Sequence, residues 1–362
     1  MTSGVAMTNS NVLRVLVVDD SAFMRSTLTR FFNSDDRFEV VGSAANGDEA
    51  VKMVADLKPD VVTLDIEMPV KNGIEALEEI MQKTPTRVVM VSSLTEAGAT
   101  ATMKALELGA VDFIPKAMED SSRNIFSQSK QLCEKVFAAA QAEIVKQPTQ
   151  SASQPSESSE PQKPQPGSHL RFRHAEAVLI GISTGGPKAL QQIIADFPRT
   201  TNVPIIIVQH MPPNFTKAMA ERLDQSCPLK VVEGTDGQKL EANHIYIAPG
   251  GMQCRVKKTS SGLVFSVSED EGESLYKPSV EVMGESLLEA VGGKVLAMMM
   301  TGMGNDGVKV YEKLKVAGAY VIAQDEATSV VYGMPRAVVE KGIANEVLPL
   351  DRLAPTIERL LG

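Results

Sequence analysis

Val178-Leu179-Ile180-Gly181-Ile182-Ser183-Thr184-Gly185-Gly186-Pro187 reads as a buried strand that breaks into a glycine-rich turn and then starts a helix. A short, wholly apolar run is the signature of a parallel strand covered on both faces, and proline suits the first turn of a helix. Two later stretches repeat the design. Ile205-Ile206-Ile207-Val208 runs into Gln209-His210-Met211-Pro212, and Val295–Met300 runs into Thr301-Gly302-Met303-Gly304-Asn305-Asp306-Gly307. In a parallel α/β sheet the loops at the carboxyl ends of the strands open onto one crevice. Ser183, His210 and Asp306 are therefore expected to meet there, although they lie far apart in sequence.

The alternation extends through both halves of the chain. Before residue 147, apolar runs at Leu13–Val18, Glu39–Val41, Val61–Leu64, Val88–Val91 and Phe113–Ile114 alternate with helical stretches at Ser21–Phe32, Gly47–Leu57, Gly73–Met81, Glu96–Leu108 and Ile125–Ile144. This is a (βα)5 pattern, hence a doubly wound parallel sheet. After residue 168, Val178–Ile182, Pro204–Val208, His244–Ile247, Val295–Met300 and Tyr320–Ala323 predict a second, Rossmann-like and mostly parallel α/β unit, interrupted by a β-hairpin at Gln253–Val267. Between them, Gln147 to Ser168 is almost entirely Gln, Ser, Pro, Lys and Glu. Such a segment cannot bury enough apolar surface to offset its ordering entropy, so a flexible tether is expected. The predicted division is 11–130 for the first domain, 131–174 for a helix end and linker, and 175–362 for the second domain.

Composition narrows the function. A chain of 362 residues with 43% hydrophobic and 22% charged residues is long enough for two cored domains. A net charge of −9 argues against a surface built to hold nucleic acid. No apolar run approaches the ~20 residues of a membrane span, and the amino terminus lacks a signal-peptide pattern. A cytoplasmic chain without direct membrane insertion is expected, with monomer as the default state. The three cysteines, Cys133, Cys227 and Cys254, lack metal or redox spacing, so reduced thiols are expected.

In the first half, Asp19 and Asp20 end the first strand, Asp65 ends the third, Ser92 and Ser93 follow the fourth, and Pro115-Lys116 follow the fifth. Three carboxylates at one sheet edge repel one another unless a hard divalent cation holds them, and magnesium suits oxygen ligands. One carboxylate could then attack phosphorus, with Lys116 and a serine hydroxyl answering the phosphoryl oxygens. An isolated Asp-Asp pair reads as a helix cap or surface turn; the joint pattern is what carries the chemistry.

In the second half, Gly181-x-Ser183-x-Gly185 is a nucleophile-elbow pattern. A glycine-rich loop of this kind also suits a phosphate, but the dinucleotide and phosphate-loop spacings are both missing. Serine needs a general base. Of four histidines, His169 and His174 sit in or beside the linker, and His244 precedes its strand, on the opposite edge from the loops. His210 is the one at the right edge. A carboxylate to fix its tautomer is expected from Asp306, with Asp325 as the rival. The glycines around Met303 permit a backbone N–H to face a developing oxyanion, although a plain tight turn accounts for them equally.

The first ~120 residues resemble a response-regulator receiver domain through Val17-Val18-Asp19-Asp20-Ser21, Asp65-Ile66-Glu67-Met68-Pro69 and Phe113-Ile114-Pro115-Lys116. The resemblance implies Asp65 as phosphoacceptor, Asp19 and Asp20 with Asp65 at a Mg2+ site, Ser92 as the switching hydroxyl and Phe113 as the reorienting aromatic. Gly181–Pro187, Gln209–Pro213, Ala248-Pro249-Gly250-Gly251 and Thr301–Gly307 are similar to the protein-glutamate methylesterases of bacterial chemotaxis. That resemblance implies a Ser183–His210–Asp306 triad, a Met303 oxyanion donor, Thr184 beside the histidine, and an ester-cleaving step without cofactor. It further implies methylated chemoreceptors as substrate, deamidation of receptor glutamines, a chemotaxis histidine kinase as phosphodonor, and recruitment to chemoreceptor arrays. A response regulator with a non-catalytic scaffold output, and a hydrolase of another ester, are the alternatives.

Overall fold

The computed structural model describes residues 12–116, 125–142, 172–269 and 274–362. The proposed tether at 147–168 lies outside the described residues.

The first unit is one parallel sheet of β1 (Leu13–Val18), β2 (Phe38–Ala44), β3 (Val61–Asp65), β4 (Arg87–Ser92) and β5 (Asp112–Pro115), in the order β2-β1-β3-β4-β5. Its helices are α1 (Ala22–Asn33), α2 (Gly47–Leu57), α3 (Gly73–Lys83), α4 (Glu96–Glu107) and α5 (Ile125–Ala140). Helix starts follow from capping: the side chains of Ser21, Asn46, Asn72 and Thr95 each accept a backbone N–H of the first turn, and Asn72 with Glu75 forms a full capping box. The expected division at residue 130 falls inside α5. Leu132, Val136 and Ala139 pack into the same core as Leu28 and Phe32 of α1, so the first unit runs on past it.

The second unit is a seven-stranded, wholly parallel sheet in the order β14-β13-β12-β6-β7-β9-β8. Its strands are β6 (Ala177–Ile182), β7 (Ile205–Gln209), β8 (Lys230–Glu233), β9 (His244–Ile247), β12 (Val295–Met299), β13 (Tyr320–Gln324) and β14 (Glu346–Leu348). β10 (Gln253–Thr259) and β11 (Gly262–Ser268) form a separate antiparallel hairpin. The hairpin reading holds, with Lys257 and Lys258 in the first strand and Ser260-Ser261 at the turn. Six helices cover the sheet: α6 (Gly186–Ile193), α7 (Phe215–Asp224), α8 (Val280–Val291), α9 (Val308–Val316), α10 (Met334–Glu340) and α11 (Leu350–Leu361). Strands β8 and β14 escaped the sequence reading because they are short edge strands with few apolar positions.

The two units meet along α4, which lies against α6 and α7. Phe113 of β5 stacks on Phe215 of α7 with ring centroids 4.5 Å apart and planes 5° from parallel. One apolar cluster runs from the receiver core through this seam into the second core, and Val330 packs against the α1/α5 side of the receiver. Polar contacts rim the seam: Asn214 Nδ2 donates to the Leu94 carbonyl at 2.8 Å, Lys217 faces Glu96 at 3.3 Å, and Arg222 pairs with Glu107.

Gly250 follows β9 where two loops touch. A Cβ there would stand 2.3 Å from the Pro212 carbonyl oxygen and 2.5 Å from that of Met211. Both atoms are backbone of the His210 loop and cannot swing aside. Gly250→Ala is therefore expected to cost about 1–3 kcal/mol, seen as a thermal midpoint lowered by several degrees; an unchanged melt would refute the close-approach argument.

Candidate active site and phosphorylation site

In each parallel sheet the connections that leave one pair of neighbouring strands run to opposite sides, β1 and β3 in the first unit and β6 and β12 in the second. The candidate site residues sit at or beside those two divergences.

In the first unit, Asp19 follows β1 and Asp65 ends β3, and both are buried. Ligand oxygens of Asp19, Asp20 and Asp65 lie within 4.8 Å of one another. Lys116 Nζ stands 2.7 Å from Asp65 Oδ2 and 3.2 Å from Asp19 Oδ2. Apart from that ammonium, neither Oδ2 atom has a hydrogen-bond donor among the described residues. Burial raises the Asp65 pKa to about 6, with the neighbouring Asp19 charge adding to it and Lys116 opposing it. Burial alone would lower Lys116, yet pairing with the two carboxylates carries it above its ordinary value. Three acidic oxygen donors, two of them answered only by the Lys116 ammonium, fit a hard divalent ion such as Mg2+.

Ser92 Oγ donates to the Gly98 carbonyl in the first turn of α4 at 3.1 Å, so in this state the hydroxyl is engaged by α4. Ser93 Oγ instead lies near Glu67 and Thr95 at the surface. Phe113 is buried in the inter-unit stack. Its neighbour Asp112 is a buried carboxyl, pushed up by desolvation against the opposing Lys135 charge. The Thr184 hydroxyl approaches Asp112 from the second unit without hydrogen-bond alignment.

In the second unit, the three loops of the sequence reading do converge. β7 flanks β6 on one side and β12 flanks it on the other, which brings the loops after all three strands to one crevice. Ser183 N donates to Thr301 O at 3.0 Å, and His210 N donates to Ile182 O at 3.2 Å. Gln209 Nε2 donates to Ser183 O at 3.0 Å, tying the serine loop to the histidine strand. Gly185 takes a left-handed φ of 76°, which starts α6 directly after the serine turn.

His210 Nε2 lies 2.8 Å from Asp306 Oδ2. The buried Nδ1 has no hydrogen-bond partner among the described residues. With Nε2–H donating to the carboxylate, Nδ1 carries the free lone pair, the tautomer a base requires. Asp306 also accepts from Ser279 Oγ at 2.8 Å, Val280 N at 2.7 Å and Glu281 N at 3.2 Å. Those donors are the N-cap and first turn of α8, where the helix end favours an anion. Burial pushes the Asp306 carboxyl up, but His210, Val280 N–H and Ser279 together hold it below the ordinary range.

Asp325, the rival, caps its own turn: its Oδ1 accepts from Thr328 N at 3.0 Å and Thr328 Oγ1 at 2.6 Å. His244 opens β9 and its Nδ1 meets the Ala242 carbonyl, away from the crevice. Met303 and Thr184 line one cavity with Ser183 and His210, of about 300 Å³, whose other wall is Ile114, Pro115 and Lys116 of the receiver.

Ser279 and Tyr276 escaped the sequence reading. Ser279 carried a legible signal, a serine just before an apolar helical run, but nothing in sequence tied that cap to Asp306. Tyr276 stacks on the His210 ring and carried no such signal.

Fold and sites together define a receiver domain packed on an α/β unit with a serine-hydrolase constellation. Residues 15–124 match the response regulator receiver domain family, and residues 178–357 match the CheB methylesterase family. The protein-glutamate methylesterase/protein-glutamine glutaminase of Lawsonia intracellularis is 43% identical over 359 residues, covering 96% of this chain and 99% of that protein. Its counterpart in Bacillus licheniformis is 42% identical over 355 residues, covering 96% and 98%. The crystal structure of the Thermotoga maritima CheB methylesterase catalytic domain is 39% identical and covers 51% of this chain and 97% of that one, with a TM-score of 0.49. The chain belongs to the protein-glutamate methylesterase/protein-glutamine glutaminase family.

The raised Asp65 pKa has a consequence for stability. Its folded value of about 6 exceeds the ordinary 3.8, so between those limits the folded state binds more protons than the unfolded one and stability falls as pH rises. Without metal, Asp65→Asn should stabilise the receiver at pH 7 by up to ~3 kcal/mol, and the gain should close by about pH 4. Denaturant melts in a chelating buffer at both pH values test this; an equal gain at both would contradict it.

Proposed function

We propose that this chain hydrolyses the methyl esters of glutamate side chains on chemoreceptor helices, releasing methanol, and deamidates selected receptor glutamines, under control of phosphorylation at Asp65. The observation that carries the reading is the His210–Asp306 bond through Nε2, which leaves a buried, unpartnered Nδ1 in the crevice that holds Ser183.

Ser183 Oγ attacks the ester carbonyl while His210 Nδ1 takes its proton. Asp306, kept anionic by the α8 N-terminus, compensates the positive charge on the ring. The tetrahedral oxyanion faces the Met303 backbone N–H and the serine loop, with Thr184 alongside. Collapse expels methoxide, protonated by His210 to methanol, and leaves a glutamyl ester on Ser183. Water, deprotonated by the same nitrogen, then releases glutamate and restores the serine. With a glutamine substrate, ammonia leaves in place of methanol. These steps need only the side chains named.

In the receiver, Asp19, Asp20 and Asp65 would hold Mg2+, which neutralises phosphoryl charge when bound. A chemotaxis histidine kinase supplies the phosphoryl group to Asp65. Lys116 and Ser92 then answer its oxygens, which draws Ser92 away from Gly98 and lets Phe113 reorient. The cavity shared by Lys116 and Ser183 supports a closed, unphosphorylated state in which the receiver obstructs the crevice.

The experiment is methanol release from methyl-labelled chemoreceptor membranes, with and without acetyl phosphate and Mg2+. Release is expected to rise with phosphodonor and to fall by at least 10³-fold in Ser183→Ala; full release by that variant would overturn the mechanism. Phe215→Leu keeps the α7 core filled but removes the aromatic face under Phe113. It is expected to raise unphosphorylated activity several-fold and to shrink the stimulation by phosphodonor, whereas wild-type values of both would sever the stack from gating.

A further inference from the structure

Tyr276 stands outside the triad, yet its ring lies directly on that of His210: the centroids are 4.3 Å apart and the planes 9° from parallel. This is face-to-face contact at van der Waals distance. The tyrosine is held there by its backbone. Gln253 Nε2 donates to the Tyr276 carbonyl at 2.7 Å, Ser274 Oγ donates to the same oxygen at 3.1 Å, and Gly251 N donates to the Lys277 carbonyl at 3.0 Å. Three residues on, Ser279 Oγ donates to Asp306. One short segment, 274–279, therefore fixes the face of the histidine and the position of its carboxylate partner.

Resting on the triad reading above, we propose that Tyr276 is a positioning residue: its ring face pins the His210 imidazole so that Nε2 meets Asp306 and Nδ1 faces Ser183, and it stabilises the positive charge the imidazole takes in the reaction. Two arguments support this. An imidazole with one directed hydrogen bond can still rock about that bond, and a parallel ring at contact distance removes the motion. The negative face of an aromatic ring also attracts a cation above it, and the imidazole becomes a cation only after it accepts the serine proton. The phenol stays neutral, because burial and the Asp306 carboxylate both raise its pKa. Among the described residues, the other ionisable groups that line the crevice are Lys277 and, from the receiver, Lys116 and Lys135; Asp306 lies behind the ring and is the group within hydrogen-bond reach of it.

The test uses the full chain with acetyl phosphate and Mg2+, comparing Tyr276→Leu and Tyr276→Phe by two readouts: methanol release from methylated receptor membranes, and the rate at which a fluorophosphonate labels Ser183, each across pH. Tyr276→Leu should lower kcat about ten-fold with KM little changed, and slow Ser183 labelling to a similar degree. The acid limb of both pH profiles should move down by roughly half a unit, a three-fold change in protonation. Tyr276→Phe, which keeps the ring face and loses only the hydroxyl, should restore all three. Wild-type labelling and pH profile in Tyr276→Leu would overturn the proposal, even if methanol release fell, since the ring would then be a receptor contact. A Phe variant slowed about ten-fold relative to wild type would overturn it too, by assigning the role to the hydroxyl; this comparison with wild type stands if the Leu variant unfolds. Ser183→Ala run alongside separates the two levels of the argument: if it stays active, the triad reading fails; if it is dead while Tyr276→Leu is unaffected, only the Tyr276 role fails.

Discussion

A parallel sheet with helices on both faces opens a crevice at its strand ends where the connections of two neighbouring strands diverge, and both candidate sites of this chain lie there. Asp19 and Asp65 flank the β1/β3 divergence, and Ser183 and the Thr301–Gly307 loop flank the one between β6 and β12, with His210 one strand away on β7. The two units then lie with these edges toward each other, so that Lys116 and Ser183 line one cavity. On the proposed reading, a phosphoryl charge at Asp65 would enter at the rim of the second crevice, with no need of a long relay.

Two buried aspartates show how the same residue is set to opposite ends. Asp306 receives the hydroxyl of Ser279, two backbone N–H groups and the imidazole, and is held as an anion below the ordinary range. Asp65 is equally buried but has one weak backbone donor, from Glu67 at 3.4 Å, and an ammonium shared with Asp19; its pKa climbs to about 6. The difference is the number of oriented donors, since desolvation is the leading cause in both. An aspartate that must stay charged to hold a histidine needs a finished shell. One that is to meet a metal and a phosphoryl group is better left short of donors, with room for both.

Much of this was legible in the sequence because the chemistry sits directly after uniform apolar strands. Ser183, His210 and Asp306 each follow such a run, and the doubled Asp19-Asp20 and Pro115-Lys116 do the same in the first half, so strand ends could be counted and their loops compared. The choice of Asp306 over Asp325 was not decided by spacing; it was decided by the α8 N-terminus, which no local pattern links to residue 306. The orientation of the His210 ring, with Nε2 on the carboxylate, is likewise a matter of side-chain placement. Contacts across the seam were hidden for a further reason. Phe113 entered the sequence reading only as a strand residue and reorienting aromatic of its own unit and Phe215 not at all, since stacking between units leaves no periodic mark in either.

That seam sets the energy scale on which any switch has to act. Its salt bridges are rim contacts of exposed side chains, and such pairs contribute little, typically 0–1 kcal/mol each. The apolar cluster through α4, α6 and α7 and the Phe113–Phe215 stack hold the units together. Losing an aromatic pair forfeits about 0.5–1.5 kcal/mol beyond burial, and exposing part of a phenyl ring adds a further ~1–2 kcal/mol. A loss of ~2–3 kcal/mol changes the ratio of closed to open forms by roughly 30- to 150-fold. Phosphorylation therefore need not dismantle the interface. On the proposed reading it would be enough for engagement of Ser92 and Lys116 by a phosphoryl group to leave Phe113 a better place to sit than against Phe215.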